Sequence, residues 1–462
     1  MVFLSHVCKN RMRPNLDIPA RLSVLNQYCF LWLIRIADQK NFQLKSKGDP
    51  IMTQVNSDVI IIGAGPSGTS AAALIHQAGF KVAVIEKEEF PRFIIGESLL
   101  PRCMDLLEEA GLIDAVKARD YIVKHGAVFL TDDQRTDFEF GNQFTDGWGY
   151  TWQVPRDDFD HTLATAVEKM GVDIFWRHTV TDADCRADSA TVTATGPDGN
   201  PVTFSGRFVL DASGFGRVLP RLMDLDLPSA LPRRDSVFTH ITGDRRPAGD
   251  AAGKIWICML PENSWLWIIP FSNGKTSVGV VAEPAFIDNL GGSLDDKLSA
   301  IIDMSRPAAD RLADRKPDFP ARRIDGYSIA VKTLCGDGYA LTGNATEFLD
   351  PVFSSGVTLA LESANRAAKT LIRQLKGETV DWDKDYAAYL GHGVEVFRTY
   401  VNAWYDGALP TVFFSDKATP DIRSQICSVL AGYVWDMDNP FVAKHEKAVD
   451  KLAQLCDMRA NK

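Results

Sequence analysis

Three glycines spaced as Gly63-x-Gly65-x-x-Gly68 stand between an apolar run, Asp58 to Ile62, and an Ala-rich stretch, Thr69 to Ala78. A second apolar run, Lys81 to Ile85, ends on Glu86. These types in this order suit the holding of a dinucleotide. Gly63 permits a tight turn, Gly65 admits a pyrophosphate to the backbone, and Gly68 lets helix and strand pack closely, while the helix start faces the phosphates. Glu86, at the end of the second run, is placed to accept hydrogen bonds from ribose hydroxyls. A lone glycine fingerprint says little. Strand, glycines, helix, strand and acid in succession specify a Rossmann-type unit beginning near Ser57.

Other chemistry-bearing residues need elements to position them. Trp265-Leu266-Trp267-Ile268-Ile269-Pro270 is an aromatic and apolar run of strand type, which by itself reads as sheet core. Phe348, Pro351, Ser354 and Gly356 precede a predicted helix from Val357 to Lys376. Backbone N–H groups at Ser355 and Gly356 would form its free start, a ready anion site. Lys124 begins Lys-His-Gly-Ala-Val-Phe, a predicted strand. Phe208 to Gly214, with Asp211, reads as a buried strand ending in a tight turn. Asn344 and Pro351 lie in Leu341 to Pro351. Asp385 to Trp404 reads as one long helix weakened by Gly391 and Gly393, and Asn439 to Leu455 as another. The aromatic run Tyr400 to Asp406 suits helix packing, a cover over a substrate cavity or a docking face.

The chain has 462 residues, 45% apolar and 24% charged, with net charge −10. That is an ordinary globular composition, long enough for two or three domain-sized units. An acidic chain gains nothing from counterion release, so nucleic acid is set aside as a partner. The eight cysteines are scattered without CxxC and read as free thiols of a cytoplasmic protein; no metal-ligand spacing stands out. The early apolar run Tyr28 to Ile34 is far short of the roughly 20 residues that cross a bilayer. Residues 1–51 carry 8 basic and 3 acidic side chains, against an acidic remainder. From that reversal 1–51 is expected to be an extraneous or disordered extension, with Met52 as the start of translation, and a targeting segment or a functional arm as the alternatives.

Glu86 to Phe93 runs into Gly96-Glu97-Ser98-Leu99-Leu100-Pro101. With that segment, the Trp265–Pro270 motif and the Phe-Pro-Ser-Gly spacing, residues 57 to about 415 resemble the flavin-dependent halogenases within the FAD-dependent monooxygenase superfamily. The closest likeness is to the shorter members that act on phenols or on carrier-tethered acyl groups. The resemblance implies FAD held by Gly63, Gly65, Ser67, Gly68, Glu86, Arg156, Asp211, Asn344 and Pro351. It implies Trp265 and Trp267 between flavin and substrate, a halide on the amides of Ser355 and Gly356, and Lys124 as the active-site lysine. In such enzymes hypohalous acid is hydrogen-bonded by that lysine or converts it to a haloamine. The family usually has Asp where Asn344 stands. Tryptophan-acting members carry Glu where Phe353 stands, which points this chain to a phenol or pyrrole, free or carrier-tethered.

The expected fold is α/β, a Rossmann-type FAD-binding domain with an inserted β-sheet substrate domain and a helical C-terminal part. The FAD-binding domain spans 52–415 (about 57–160, 200–220 and 325–380), the substrate domain is interleaved (about 120–155 and 220–325), and C-terminal helices occupy 416–462. With no second GxGxxG after a strand, reducing equivalents are expected from a separate flavin reductase. Two alternatives stand beside the halogenase reading: an FAD-dependent hydroxylase or dehydrogenase, and a non-catalytic flavin-binding partner in a biosynthetic complex.

Overall fold

The structure is a computed structural model and describes residues 53–460, with side chains to Asp457. The reading of 1–51 lies outside the described residues. A six-stranded sheet forms the Rossmann layer, in the order Cys335–Gly336, Tyr339–Leu341, Phe208–Asp211, Val59–Ile62, Val82–Ile85, Asp173–Phe175. Its central pairings are parallel. All four residues of Val59–Ile62 are buried, as a parallel strand covered on both faces requires. Val59 and Ile61 join the main core; Ile60 and Ile62 face the other way, into a second cluster.

That second cluster is roofed by a four-stranded sheet, Thr53–Asn56, Pro201–Gly206, Ser189–Thr195 and Thr179–Arg186. The sequence does not announce it. Its strands are Thr- and Asp-rich on the outer face and bury only alternate residues such as Ala190, Val192 and Ala194, a weaker signal than the continuous apolar runs of the Rossmann strands.

The inserted domain is an eight-stranded sheet. Its cavity-facing side is set by register. Asp235–Thr242, Thr276–Ala282 and Ser264–Pro270 lie side by side, so Phe238, Gly279 and Trp267 form one row and His240, Ser277 and Ile269 the next. The middle strand contributes the smallest residues, leaving a trough between its neighbours. A Cβ on Gly279 would stand 2.3 Å from Cζ2 of Trp267, so the indole lies across the space that only glycine leaves.

The helices follow the expected places with shifted ends. The Rossmann helix is Pro66–Gln77 and the late helix Ser355–Leu375. The C-terminal helix is Ala388–Tyr405 after a π-turn at Asp383–Ala387; Gly393 is there because Trp435 packs on it, 2.2 Å from where a Cβ would be. The helix expected over Asn439 to Leu455 is two, Pro440–Ala443 and His445–Ala460, broken at Lys444 with φ −137°. Among the described residues, no helix is long and apolar enough to cross a membrane.

Candidate active site

A cavity of about 380 Å³ lies between the Rossmann turn, the loop from Arg92 to Ser98, the inserted sheet and the start of helix Ser355–Leu375. At the Rossmann end the three glycines do different work. Gly63 has φ +101°, and a Cβ on it would meet the Ala212 carbonyl oxygen at 2.5 Å; one on Gly68 would meet the Gly63 carbonyl oxygen at 1.9 Å. Protein packing demands both. A Cβ on Gly65 would find only the Arg92 guanidinium, at 3.7 Å, so the room over Gly65 belongs to a ligand. Helix Pro66–Gln77 opens here with proline in its first turn and no side-chain cap, leaving its first amides free.

Gly63, Gly65, Ser67 and Glu86 line this end. Glu86 Oε2 accepts from the Ala64 amide at 2.8 Å and Oε1 from the Glu88 amide at 2.9 Å. The backbone thus fixes the carboxylate, and its spare lone pairs remain for ribose hydroxyls. An acceptor at one side, free amides at the other and open space over the middle glycine fit the adenine dinucleotide half of FAD.

Two of the expected cofactor residues have other tasks. Asp211 is fully buried and absent from the cavity wall. Its oxygens accept from the Ser213 amide at 2.9 Å and the Leu219 amide at 2.6 Å, and burial raises its carboxyl above the usual range. It shapes the turn whose Ala212, Ser213 and Gly214 do line the cavity. Arg156 reaches the wall, but its donors go to Asp160 at 2.8 and 3.0 Å and to the carbonyls of Ile95 and Gly96 at 3.3 and 3.1 Å. It braces the loop. The cation that faces the space over Gly65 is Arg92, held by Asp160 at 3.2 Å. Sequence reasoning missed Arg92, although Pro91-Arg92 is part of the segment that carries the resemblance. Asn344 and Pro351 line the cavity as expected.

At the sheet end Trp265 and Trp267 both form wall, 6.0 Å apart between ring centroids. Trp267 Nε1 donates to Ser277 Oγ at 3.0 Å, and Trp265 Nε1 to the Tyr405 hydroxyl at 2.9 Å. Tyr405 in turn donates to Asp350 at 2.9 Å, and Tyr327 to the same oxygen at 3.0 Å. The Arg234 guanidinium lies 3.6 Å from the Tyr405 ring centroid. Burial pushes the Asp350 carboxyl up against these donors, which pull it down. This network ties the C-terminal helix to the tryptophan strand, far from it along the chain, and nothing in local spacing announces it. Tyr405→Phe strips the buried Trp265 indole of its acceptor. It should lower stability by about 1–3 kcal/mol in a denaturant titration, and an unchanged midpoint would remove the network's importance.

Helix Ser355–Leu375 begins at the cavity with no side-chain cap, after Ser354 at φ +56°. Gly356 forms wall; Ser355 is buried behind it. Lys124 closes the strand Ile122–Lys124, paired with Thr151–Gln153, before the chain crosses to the large sheet at Gly126–Leu130. Gly126 is required there, since a Cβ would meet the Phe138 carbonyl oxygen at 1.9 Å. Lys124 is 1% exposed and does not itself line the cavity. Its ammonium donates to Ser98 Oγ at 2.8 Å and the Leu99 carbonyl at 2.7 Å, and Ser98 is wall. Burial pulls its pKa down to about 7.

Residues 56–387 match the family described as FAD binding domain. The chain belongs to that family. This flavoprotein is 28% identical over 438 residues, 87% of its length and 94% of the other's, to the 1H-pyrrole-2-carbonyl-[peptidyl-carrier protein] chlorinase of Pseudomonas fluorescens. Among solved structures it is similar to a flavoprotein/dehydrogenase from Cytophaga hutchinsonii, at 46% identity and TM-score 0.85 over 88% of this chain and 100% of that one. It is also similar to a flavin-dependent brominase, at 25% identity and TM-score 0.77 over 87% and 100%. The flavoprotein is therefore an FAD-dependent oxidoreductase homologous to the flavin-dependent halogenases, with the Rossmann core and inserted sheet expected of it.

Proposed function

We propose that this flavoprotein halogenates an electron-rich aromatic, a phenol or pyrrole, free or tethered to a carrier protein, and receives reduced FAD from a separate reductase. One observation carries the reading. The Rossmann turn, the Trp265–Trp267 pair and the start of helix Ser355–Leu375 share one cavity, and Ser98 joins its wall to Lys124. Bound reduced FAD, with O₂, supplies the oxidising power that turns a halide into hypohalous acid. The amides of Ser355 and Gly356 attract the halide to the helix start. The buried tryptophans, their N–H groups engaged, keep that end of the cavity apolar and dry.

Lys124 lies one hydrogen bond behind Ser98. With its pKa near 7 a large share is free amine at neutral pH. That amine can take the halogen from hypohalous acid with release of water, then pass it to a ring carbon, which loses its proton as the amine is restored. The homologous chlorinase, by its name, acts on a pyrrole carbonyl held by a peptidyl carrier protein, which supports that substrate class. The free thiols of Cys103, Cys258 and Cys427 fit a cytoplasmic setting.

The test is mass spectrometry of products from reduced FAD, bromide or chloride, and a panel of free and carrier-bound phenols and pyrroles. Halogenated product is expected, with NAD(P)H oxidised only slowly until a flavin reductase is added. A second reading, oxidation or hydroxylation without halogen transfer, is favoured by the 46% identity to a flavoprotein/dehydrogenase. Rapid, substrate-stimulated NADPH oxidation by the isolated protein, with no halogenated product, would establish it instead.

A further inference from the structure

Glu97 belongs to the loop that walls the cavity between the Rossmann turn and the tryptophan face, and it is 2% exposed. One carboxylate oxygen, Oε1, lies 2.7 Å from Nε2 of His240. The other, Oε2, is buried and has no hydrogen-bond partner among the described residues. The arrangement holding it is rigid. His240 is boxed by Phe93, Phe271 and Phe319, with ring centroids 5.2–5.5 Å away. The Glu97 carbonyl accepts from the Val154 amide at 2.8 Å, and Arg156 grips the two carbonyls before it.

Buried polar atoms are almost always hydrogen-bonded, and an orphan calls for a partner that the chain itself does not supply. The indole donors of the same wall are given elsewhere, Trp265 to Tyr405 and Trp267 to Ser277, and the Lys124 ammonium behind it gives to Ser98 Oγ and the Leu99 carbonyl. We infer that Glu97 Oε2 is the acceptor for an N–H or O–H donor on the molecule occupying the sheet end of the cavity, and that His240 is its positioning residue. Two molecules offer that chemistry: the flavin, through its ribityl hydroxyls and ring imide, and a phenol or pyrrole. The flavin alternative rests on FAD binding alone, and the aromatic one on the proposed substrate class.

Binding, not turnover, tests it. Glu97→Gln keeps the shape; with its carbonyl toward His240 it turns an N–H₂ toward the ligand's own donor. FAD affinity is read by flavin fluorescence on the stripped protein, and affinity for phenol and pyrrole by flavin absorbance on the loaded one. At least about tenfold weaker binding is expected, the loss of one charge-assisted hydrogen bond. A loss in the FAD titration assigns the donor to the flavin; a loss confined to the aromatic titrations assigns it to the substrate. His240→Gln should weaken the same ligand by less and add little to Glu97→Gln, because both act on one contact. Glu97→Asp, which retracts the oxygen by one methylene but keeps the charge and the acceptor, serves the same titrations should Glu97→Gln not fold. Unchanged affinity for FAD, phenol and pyrrole in the folded variant overturns the inference.

Discussion

The Gly65→Val protein is expected to fold, to melt like the parent stripped of its FAD, and to emerge from purification colourless. Gly65 caps helix Pro66–Gln77 at φ −69° and ψ −175°, extended backbone that valine adopts without strain. The nearest protein atom to an added Cβ is 3.7 Å away. The backbone therefore leaves room for a Cβ here, and the side chain extends into the space that the pyrophosphate needs. Gly68→Ala is the contrast. Its Cβ would stand 1.9 Å from the Gly63 carbonyl oxygen, so that variant should lose stability first and FAD as a consequence. The readings are flavin absorbance per protein and a thermal melt followed by circular dichroism. A yellow Gly65→Val protein would show that the dinucleotide lies elsewhere.

The Rossmann unit is legible in the sequence because everything it needs lies in one short stretch, Asp58 to Glu86, and each residue type there answers a local constraint. The tryptophan strand is legible for the same reason, and register explains its spacing. Trp265, Trp267 and Ile269 share one face of the inserted sheet, and Gly279 makes the room. What escapes a sequence reading is contact between distant segments. Asp350 reads as part of a loop, but not as the carboxylate shared by Tyr327 and Tyr405. Asp211, at the end of a buried strand, has the look of a cofactor ligand; its two acceptors are instead spent on the backbone of the following turn. Arg92 has no role in the sequence reading because it and Arg156 converge on Asp160 from separate segments, and only the geometry shows that it is Arg92 that stands beside the space over Gly65. Lys-x-Gly gives the position of Lys124 but not its enclosure, which Ser98 and Leu99 provide from another part of the chain.

That enclosure makes Lys124→Met the most discriminating substitution. Halogenated product per flavin oxidised is expected to fall at least about 10²-fold, the effect of a lost acid–base group, with FAD retained. Methionine fills the same volume but can neither donate to hypohalous acid nor carry the halogen. A second signature comes from burial. The parent's lysine has a pKa near 7 when folded, against 10.5 when free. Below pH 7 it is protonated in both states, and the cost of enclosing its charge is fully present. Between about 7 and 10.5 the unfolded chain binds a proton that the folded one has released, so the parent gains stability as pH rises, by roughly 5 kcal/mol across the window. Lys124→Met lacks that rise. Its stability relative to the parent should be greatest below pH 7 and shrink steadily to pH 10.5, on top of a constant loss of about 1–3 kcal/mol for the abandoned Ser98 and Leu99 acceptors. Product formation by the parent should climb through pH 7 as the amine form accumulates. Urea titrations at several pH values separate the two contributions, and a solvated surface lysine would give a difference independent of pH. If the variant shows the pH-dependent stability difference yet keeps full product yield, Lys124 is a buried structural lysine, and the chemistry must run on the cavity wall alone.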